Sequence, residues 1–535
     1  MKRTFRVRVA VATVAGLLSL LPLLGSCSTE PPENGGADAD RGTTEARRGE
    51  GREVRAEATR SRATDETTAV TRQPDPQTSL VPVAHLSSPR EGVSLRELSE
   101  ANELSVSSGS LEMAEDLIDR PGFRSFESAD AVVDHVGRTP GALGLLPWDR
   151  VGPRVKALAV EGRSILEPGA ADLSSYPLRF EEGTGPDPGE LRRVVIGGDI
   201  VLDRGQNYMV IQQGMGLDFP LDGGYAAITG RTPEPSPYSE TGTIHQFTAA
   251  RVGDAGAVRD YLSGADLTLA NFENPVVEAA VWHPDETYFT GDPRLMPVLD
   301  QAGIDGVTLG NNHVLDAGAS GLAETLGQLD RAGIARAGAG MDLADARRPM
   351  IFEVGGTKIG VLSYLGIPGY SWAWATETAP GTAPLLEDVV REDVERLRDE
   401  VDLLVVMPHW GKEYLATPEP GQVELAHAAA DAGADLVVGG HAHWPKGMEI
   451  YGGTPIFYGV GNFLLDQSWS EETSTGIFAE ITLYGDRIVQ VQPVPFVLLD
   501  YAQPNFLVPE AGGDRALEKI YAVSRGPEFE AYNNR

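Results

Sequence analysis

The stretch VVIGGDIVLDR, residues 194–204, joins a run of branched apolar residues to two glycines and a pair of aspartates. This order is typical of a buried strand that ends in a polar turn. Similar apolar runs recur through residues 187–500, and amphipathic helical patterns separate several of them. We predict strands at 193–196, 267–270, 306–309, 359–364, 402–407 and 435–438, with helices at 317–332, 385–400 and 422–432. Alternation of this kind predicts a layered α/β domain.

Four later apolar runs, at 448–451, 456–460, 477–483 and 488–493, have no helical pattern between them. They indicate a second sheet packed beside the first.

Polar residues collect just after the predicted strands, where open α/β sheets bind their ligands. Asp199 and Glu273 follow the first two strands, and four of the nine histidines lie in such turns. Neutral imidazoles bind Zn, Mn, Fe or Ni, and a carboxylate can bridge two metal ions that lie about 3.5–4 Å apart. The convergence of five such turns predicts a metal centre at one rim of the sheet.

Six segments together resemble the CapA family, named for poly-γ-glutamate capsule biosynthesis. They occur in the family's order, at GDIVLDR (198–204), NFENP (271–275), NNHVLDAG (311–318), HWGKEY (409–414), GHAH (440–443) and IFYGVGNFLLDQ (456–467). The resemblance covers about residues 190–500. It implies a calcineurin-like metallophosphatase fold, a four-layer α/β/β/α sandwich, with one or two divalent transition-metal ions (Mn, Zn or Fe).

The resemblance also implies roles for single residues. The implied metal ligands, with Glu273 at the bridging position, are Asp199, Glu273, Asn312, His409, His441 and His443. His313 matches the residue that protonates the leaving group. The chain departs from metallophosphatases at Val201, where an Asp-x-His motif would supply another histidine ligand. A bridging Glu in place of Asp is a second departure.

Further residues near these motifs have two readings each. Asp316 could orient His313 as a general acid. Arg204 could clamp an anionic oxygen or form a salt bridge, and Asp203 could be a ligand or the partner of Arg204. Two other residues, Asn462 and Trp410, could contact substrate, or could cap a turn and pack in the core.

The N-terminal part of the chain predicts a signal peptide followed by a flexible linker. Residues 1–27 combine a basic start, an apolar middle and Leu-Gly-Ser before Cys27, the only cysteine, which resembles a bacterial lipobox. We therefore expect a lipoprotein signal peptide, with Cys27 lipidated and the protein anchored outside the cytoplasm on the cell membrane. Residues 28–80 have almost no large apolar residue and predict a disordered linker.

Two segments flank the main domain. Residues 81–185 predict a small α/β region that resembles one lobe of phosphate-type periplasmic binding proteins, and residues 501–535 form a C-terminal tail. One lobe leaves a ligand cleft doubtful, so a structural or docking role is the alternative for this region.

Composition limits the partners. The chain has 535 residues and a net charge of −34, so its field repels nucleic acid and anionic lipid headgroups. The charge does not exclude a local anion site that a metal neutralises. Two functions remain open: a surface-anchored metal-dependent hydrolase of a phosphoester or amide in an envelope polymer, or a non-catalytic component that binds such a polymer during capsule assembly. The expected polymer is anionic, such as poly-γ-glutamate. Partner proteins of capsule synthesis are expected in either case.

Overall fold

The computed structural model of the protein describes residues 78–168, 173–179, 185–238, 242–284 and 286–533. The predicted signal peptide, Cys27 and nearly all of the predicted linker lie outside these residues. Among the helices that are described, none has the length and apolar character needed to cross a membrane.

The N-terminal region folds around its own small sheet. Its strands are β1 (Leu80–His85), β2 (Gly92–Val93), β3 (Ser105–Ser107), β4 (Arg124–Phe126), β5 (Leu143–Pro147), β6 (Val155–Ala157) and β7 (Ala159–Val160), and its helices are α1 (Leu95–Glu100), α2 (Leu111–Leu117) and α3 (Ala129–Arg138). Five strands pair in the order β4-β3-β5-β1-β6. Leu191 and Val489 of the main domain complete this region's core, which attaches the small sheet firmly to the larger domain.

The main domain begins with β8 (Leu191–Ile200) and carries the remaining strands in two sheets. The first sheet contains β9 (Tyr225–Pro235), β10 (Thr243–Val252), β11 (Leu267–Phe272), β12 (Gly306–Thr308), β13 (Ala335–Ala337), and the later β22 (Asn462–Leu464), β23 (Thr475–Tyr484), β24 (Arg487–Leu499) and β25 (Gln503–Leu507). Its order is β10-β9-β25-β24-β23-β8-β11-β12-β13, with β22 pairing to β8.

The second sheet lies against the first. Its strands are β15 (Met350–Val354), β16 (Thr357–Gly366), β18 (Leu403–Trp410), β19 (Leu436–Val438), β20 (Met448–Tyr451) and β21 (Thr454–Phe457), in the order β15-β16-β18-β19-β21-β20. A separate short pair joins β14 (Ala339–Gly340) to β17 (Gly381–Thr382).

The main domain has ten helices in the part of the chain that the structure describes. They are α4 (Arg204–Asn207), α5 (Ala257–Ser263), α6 (Pro297–Gln301), α7 (Gly318–Ala332), α8 (Leu343–Ala346), α9 (Glu387–Arg398), α10 (Pro420–Ala432), α11 (Glu471–Ser474), α12 (Gly513–Tyr521) and α13 (Glu530–Asn533). Helices α5, α6 and α7 pack on the first sheet, and α9 and α10 pack on the second.

Alternating burial along single strands shows why four layers form. Val194 and Ile196 of β8 point into the core between the sheets, whereas Val195 points towards α5, α6 and α7. Likewise, Val405 faces the first sheet and Val406 faces α9 and α10. Because side chains alternate across a strand, a continuous apolar run contributes side chains to a core on each face of the sheet. The predicted α/β/β/α sandwich is confirmed.

The assignment of strands to sheets was wrong. The prediction placed all of the helix-separated strands in one sheet and the four later runs in another. In the structure the chain changes sheet after β13, so β16, β18 and β19 form the second sheet with β20 and β21. The later strands β23 and β24 return to the first sheet, where β23 pairs antiparallel with β8.

The C-terminal segment predicted as a tail is folded. Strand β25 extends the first sheet, and α12 contributes the buried Ile520 and Tyr521 to the core between the sheets. Phe529 is also buried in that core. This segment is therefore part of the main domain.

Candidate metal centre

The parallel strands of the two sheets end at a common rim, and the predicted ligands lie there. Asp199 is the penultimate residue of β8, and His409 is the penultimate residue of β18. Glu273 follows β11 and Asn312 follows β12. His441 and His443 lie in the loop after β19. All six side chains are buried, with Asp199 and Glu273 at 0% exposure.

Two groups of potential ligand atoms meet at this rim. One contains Asp199, Glu273 and His409, and the other contains Glu273, His441 and His443, with ligand atoms within 4.8 Å of one another in each group. Glu273 belongs to both groups, as the bridging position implied by the resemblance requires. Asn312 adjoins the first group, because its Oδ1 lies 2.9 Å from His409 Nε2.

Several ligand atoms have no hydrogen-bond partner although they are buried. They are Asp199 Oδ2, Glu273 Oε1 and His441 Nδ1. The two carboxylate oxygens lie 3.4 Å from His443 Nδ1 and 3.2 Å from His409 Nε2, at ion-pair distance but without hydrogen-bond geometry. A buried polar atom without a partner is costly, so natural proteins rarely leave one unsatisfied. Carboxylate oxygens and imidazole nitrogens that converge in this way are the donor set that divalent transition metals prefer. The residues present therefore fit such a cation.

Burial and neighbouring charges set the protonation states. Burial alone would raise the pKa of Asp199, but His443 and His409 outweigh it and hold the pKa below its ordinary value. Burial and the surrounding imidazoles lower the pKa of His441 well below its ordinary value. Asp199 is thus held as a carboxylate and His441 as a neutral imidazole, which are the forms that bind cations. For His443, Asp199 and Glu273 outweigh burial and raise the pKa to about 9, so cation binding there must displace a proton.

Two asparagines hold the predicted ligands in place. Asn271 Nδ2 donates to Asp199 Oδ1 at 2.8 Å, and lies 3.3 Å from His409 Nδ1. Asn311 Nδ2 donates to the Phe272 carbonyl at 2.8 Å and to Asn271 Oδ1 at 3.2 Å. Hydrogen bonds of this kind fix the orientation of ligands at metal sites.

Asn462 has a different place from the one predicted. It is fully buried, and its Oδ1 accepts a hydrogen bond from His443 Nδ1 at 2.8 Å, which leaves Nε2 of that imidazole free to bind a cation. Trp410 is 2% exposed and packs in the core between the second sheet and α9 and α10, while its Nε1 donates to the Tyr458 carbonyl. For both residues, the burial and the contacts favour a structural role over direct contact with substrate, and substrate binding stays a prediction.

His313 and Asp316 form a pair beside the metal ligands. His313 Nδ1 donates to Asp316 Oδ2 at 2.8 Å, and Asp316 also accepts from the Phe289 backbone N–H. The hydrogen bond at Nδ1 leaves Nε2 available for proton transfer. The backbone N–H of His313 donates to Asn311 Oδ1, which links the pair to the asparagines around the ligands.

The contacts of Arg204 and Asp203 distinguish between the two roles predicted for each residue. Arg204 Nε lies 2.9 Å from Asp466 Oδ1, so its guanidinium is already paired. The ion pair is therefore the reading that the contacts favour over an anion clamp. Asp203 is buried and accepts from His283 Nδ1 at 2.6 Å and from the Thr290 backbone N–H. It is the partner of His283, and no contact places it among the metal ligands.

Val201 occupies the position where metallophosphatases would have a further histidine. It is 1% exposed and packs with Phe289 and Leu465. An apolar side chain therefore fills this position.

Asn271 and His283 were not predicted from the sequence as residues of this region. Asn271 could have been found from its spacing, because residues two apart on a strand share a face and Glu273 follows it at that distance.

A buried lysine lies close to the centre and makes stability depend on pH. Lys446 is fully buried, its Nζ donates to the Leu415 carbonyl at 2.7 Å, and burial lowers its pKa from 10.5 to about 8. Between pH 8 and 10.5 the unfolded chain binds this proton and the folded chain does not. The free-energy cost of burying the charged lysine therefore falls as pH rises. Relative to Lys446→Met, the wild-type free energy of unfolding should rise by up to about 3 kcal/mol from pH 7 to above pH 10.

Urea unfolding of both proteins at the two pH values measures this difference. Lys358→Met, at an exposed lysine, is the matched control. A wild-type minus Lys446→Met difference that stays constant with pH would contradict the expectation.

Comparison with known proteins identifies the family. The family described as bacterial capsule synthesis protein PGA_cap matches residues 193–467, just over half of the chain. The "PGA biosynthesis protein CapA" of Bacillus subtilis is 32% identical over 223 residues, covering 41% of this chain and 58% of that protein. A "Probable polyglutamine synthesis accessory protein" of Mycobacterium tuberculosis is 30% identical over 298 residues, covering 51% of this chain and 74% of that protein.

This chain spans about three fifths of the length of the two Bacillus capsule proteins it matches. Among solved structures, the NAD nucleotidase of Haemophilus influenzae is similar with a TM-score of 0.34 at 12% identity, over 64% of this chain and 66% of that one. The sandwich itself is established by the strand order and the packed layers described above. From its family match and its relatives, the chain belongs to the PGA_cap family of bacterial capsule synthesis proteins, the CapA family that its strand-end motifs resemble.

Proposed function

We propose that this CapA-family protein is a metal-dependent hydrolase that cleaves a phosphoester or amide bond in an envelope polymer such as poly-γ-glutamate. The observation that carries the proposal is the pair of ligand groups that share Glu273 and bury three ligand atoms without hydrogen-bond partners.

The residues divide into holders of the cation and a proton donor. Asp199, Glu273, Asn312 and the three histidines 409, 441 and 443 would hold one or two ions of Mn, Zn or Fe. A divalent cation supplies Lewis-acid polarisation and a hydroxide nucleophile at neutral pH.

His313 would complete the reaction by proton transfer. As the bond to phosphorus or to the carbonyl carbon breaks, the leaving oxygen or nitrogen takes the proton from His313 Nε2. Asp316 keeps the Nδ1 proton in place and stabilises the imidazolium before that transfer. Arg204 would assist an anionic substrate only after exchanging its pairing with Asp466.

A second function is favoured by one feature. Val201 packs against apolar residues at the position where metallophosphatases have a further histidine ligand. A centre with one ligand fewer would bind metal more weakly, which would suit a component that binds the capsular polymer without cleaving it. Both functions place the protein with the polymer-synthesis machinery. We further propose that a lipid on Cys27 anchors it to the outer face of the cell membrane.

Metal content and turnover together test the proposal. We expect elemental mass spectrometry of the purified protein to find one or two equivalents of a transition metal. Hydrolysis of a phosphodiester or of poly-γ-glutamate should stop after chelation and return with Mn or Zn. Metal without turnover on either substrate, together with polymer binding that survives chelation, would support the binding function instead.

A further inference from the structure

Two aromatic clusters line the rim beside the metal ligands. The inner cluster consists of Tyr238, Tyr414 and Trp469, whose ring centroids lie 4.1 to 5.2 Å apart. Tyr414 also lies 5.9 Å from the ring of His443, which connects this cluster directly to a metal-binding residue.

The outer cluster consists of Tyr208, Trp282 and Tyr501. Tyr208 stacks on Trp282 at 5.9 Å and lies 5.3 Å from Tyr501. Trp282 Nε1 donates to the carbonyl of Arg204, so the outer cluster is attached to the turn that follows β8.

One short segment, residues 466–469, joins the two clusters. At one end Asp466 pairs with Arg204, and at the other end Trp469 belongs to the inner cluster. Between them, Gln467 Nε2 donates to the Tyr414 hydroxyl at 3.4 Å. A Cβ added at Gly205 would lie 2.7 Å from Asp466 Cβ and 2.9 Å from Tyr501 Cβ, so the segment begins beside the outer cluster and ends in the inner one. The six rings of the two clusters are together called the aromatic wall.

Backbone strain is concentrated in this wall and in the ligand loop. Eight non-glycine residues of the described chain have positive φ, and seven of them lie at the rim: Arg204, Tyr414, His441, His443, Asp500, Tyr501 and Ala502. Such conformations are unfavourable for residues with a side chain and cluster at functional sites. Tyr414 and Tyr501 are therefore held where the fold would otherwise prefer a glycine.

Among the described residues, the wall offers exposed rings, and the exposed Lys412 lies two residues from Tyr414 in the chain. Tyr238 is 46% exposed and Tyr501 is 49% exposed. The arginines beside it are paired, Arg204 with Asp466 and Arg251 with Asp500 at 2.9 and 2.8 Å. With a net charge of −34, the surrounding field does not attract a polyanion. The exposed rings and the acidic charge of the chain together favour an uncharged ligand that stacks.

We propose that this wall binds a neutral oligosaccharide and presents it to the metal centre. A pyranose ring has an apolar face that stacks on aromatic rings and hydroxyl groups at its edge that suit tyrosine hydroxyls and Gln467. The inference rests on the proposed function for its consequence, because a saccharide unit of the envelope would then carry the bond that is cleaved.

Binding of a linear N-acetylglucosamine hexamer tests the wall. Tryptophan fluorescence and calorimetric titration would compare the wild type with the double variant Tyr238→Ala/Trp469→Ala, which alters no metal ligand. Phe126→Ala, at an aromatic residue of the N-terminal sheet, is the matched control. We expect the dissociation constant to rise at least tenfold in the double variant, to stay unchanged in the control, and to vary less than twofold between 50 and 500 mM NaCl.

The metal content of the same samples separates this inference from the proposed function. If the protein contains no metal and still binds the hexamer through the wall, the saccharide site is supported and the proposed hydrolase activity is contradicted. Absence of hexamer binding, or equal affinity in the double variant, overturns the inference. Tighter, salt-dependent binding of poly-γ-glutamate that needs the same rings overturns it as well.

Discussion

Glu273→Gln should remove most of the bound metal and lower turnover by at least a thousandfold. Glu273 is the residue that belongs to both ligand groups, so one substitution weakens both. Gln has nearly the same shape but no charge, and Glu273 is completely buried, so the packing is retained while the attraction for a cation is lost. A bridging carboxylate contributes to both ions of a two-ion site.

His441→Ala provides the comparison within the site. Because His441 belongs to only one of the two groups, the one with Glu273 and His443, its loss should spare a cation held by Asp199, Glu273 and His409. Elemental mass spectrometry would therefore find less metal in Glu273→Gln than in His441→Ala. Glu449→Gln is the matched control, since Glu449 is another buried carboxylate, hydrogen-bonded to the Tyr458 hydroxyl. Full metal content in folded Glu273→Gln would refute a shared ligand.

The layered fold and the rim could be predicted because each rests on local pattern. Strands β8, β11 and β12 are apolar runs that end in polar turns, and parallel strands bring such turns to one edge. The sequence therefore predicted that Asp199, Glu273 and the histidines of three turns meet, and the structure brings them together. Their role as ligands stays a prediction until metal is measured.

Sheet membership could not be predicted in the same way. The runs that became β12 and β16 look alike, since both are buried on two faces, and no local signal marks the change of sheet after β13. Long-range pairing of β23 with β8, nearly 300 residues apart, is equally invisible to a local pattern.

Side-chain partners were the least predictable part of the site. Asp203 precedes Arg204 in the chain, yet it binds His283, about eighty residues away. Trp410 follows a metal-binding position directly but points to the opposite face of β18, into the core. In each case the partner is fixed by the three-dimensional fold, and sequence proximity suggested another residue.

His313→Ala should lower turnover by about 10²–10⁴-fold on substrates with poor leaving groups, while metal content is unchanged. The side chain is paired with Asp316 and is not a member of either ligand group. A general acid matters most when the leaving oxygen is strongly basic. The same substitution should therefore cost little on a p-nitrophenyl ester, whose leaving group needs no proton.

Asp316→Asn should reproduce part of this loss, because an amide still accepts the hydrogen bond from Nδ1 but no longer stabilises the imidazolium. His283→Ala is the matched control, as it removes another histidine that is paired with an aspartate, at Asp203. The measurement is kcat/KM for alkyl and aryl phosphodiesters across the three variants. An equal loss on both substrate classes would mean that His313 positions the substrate or the metal ligands, and that protonation of the leaving group comes from elsewhere.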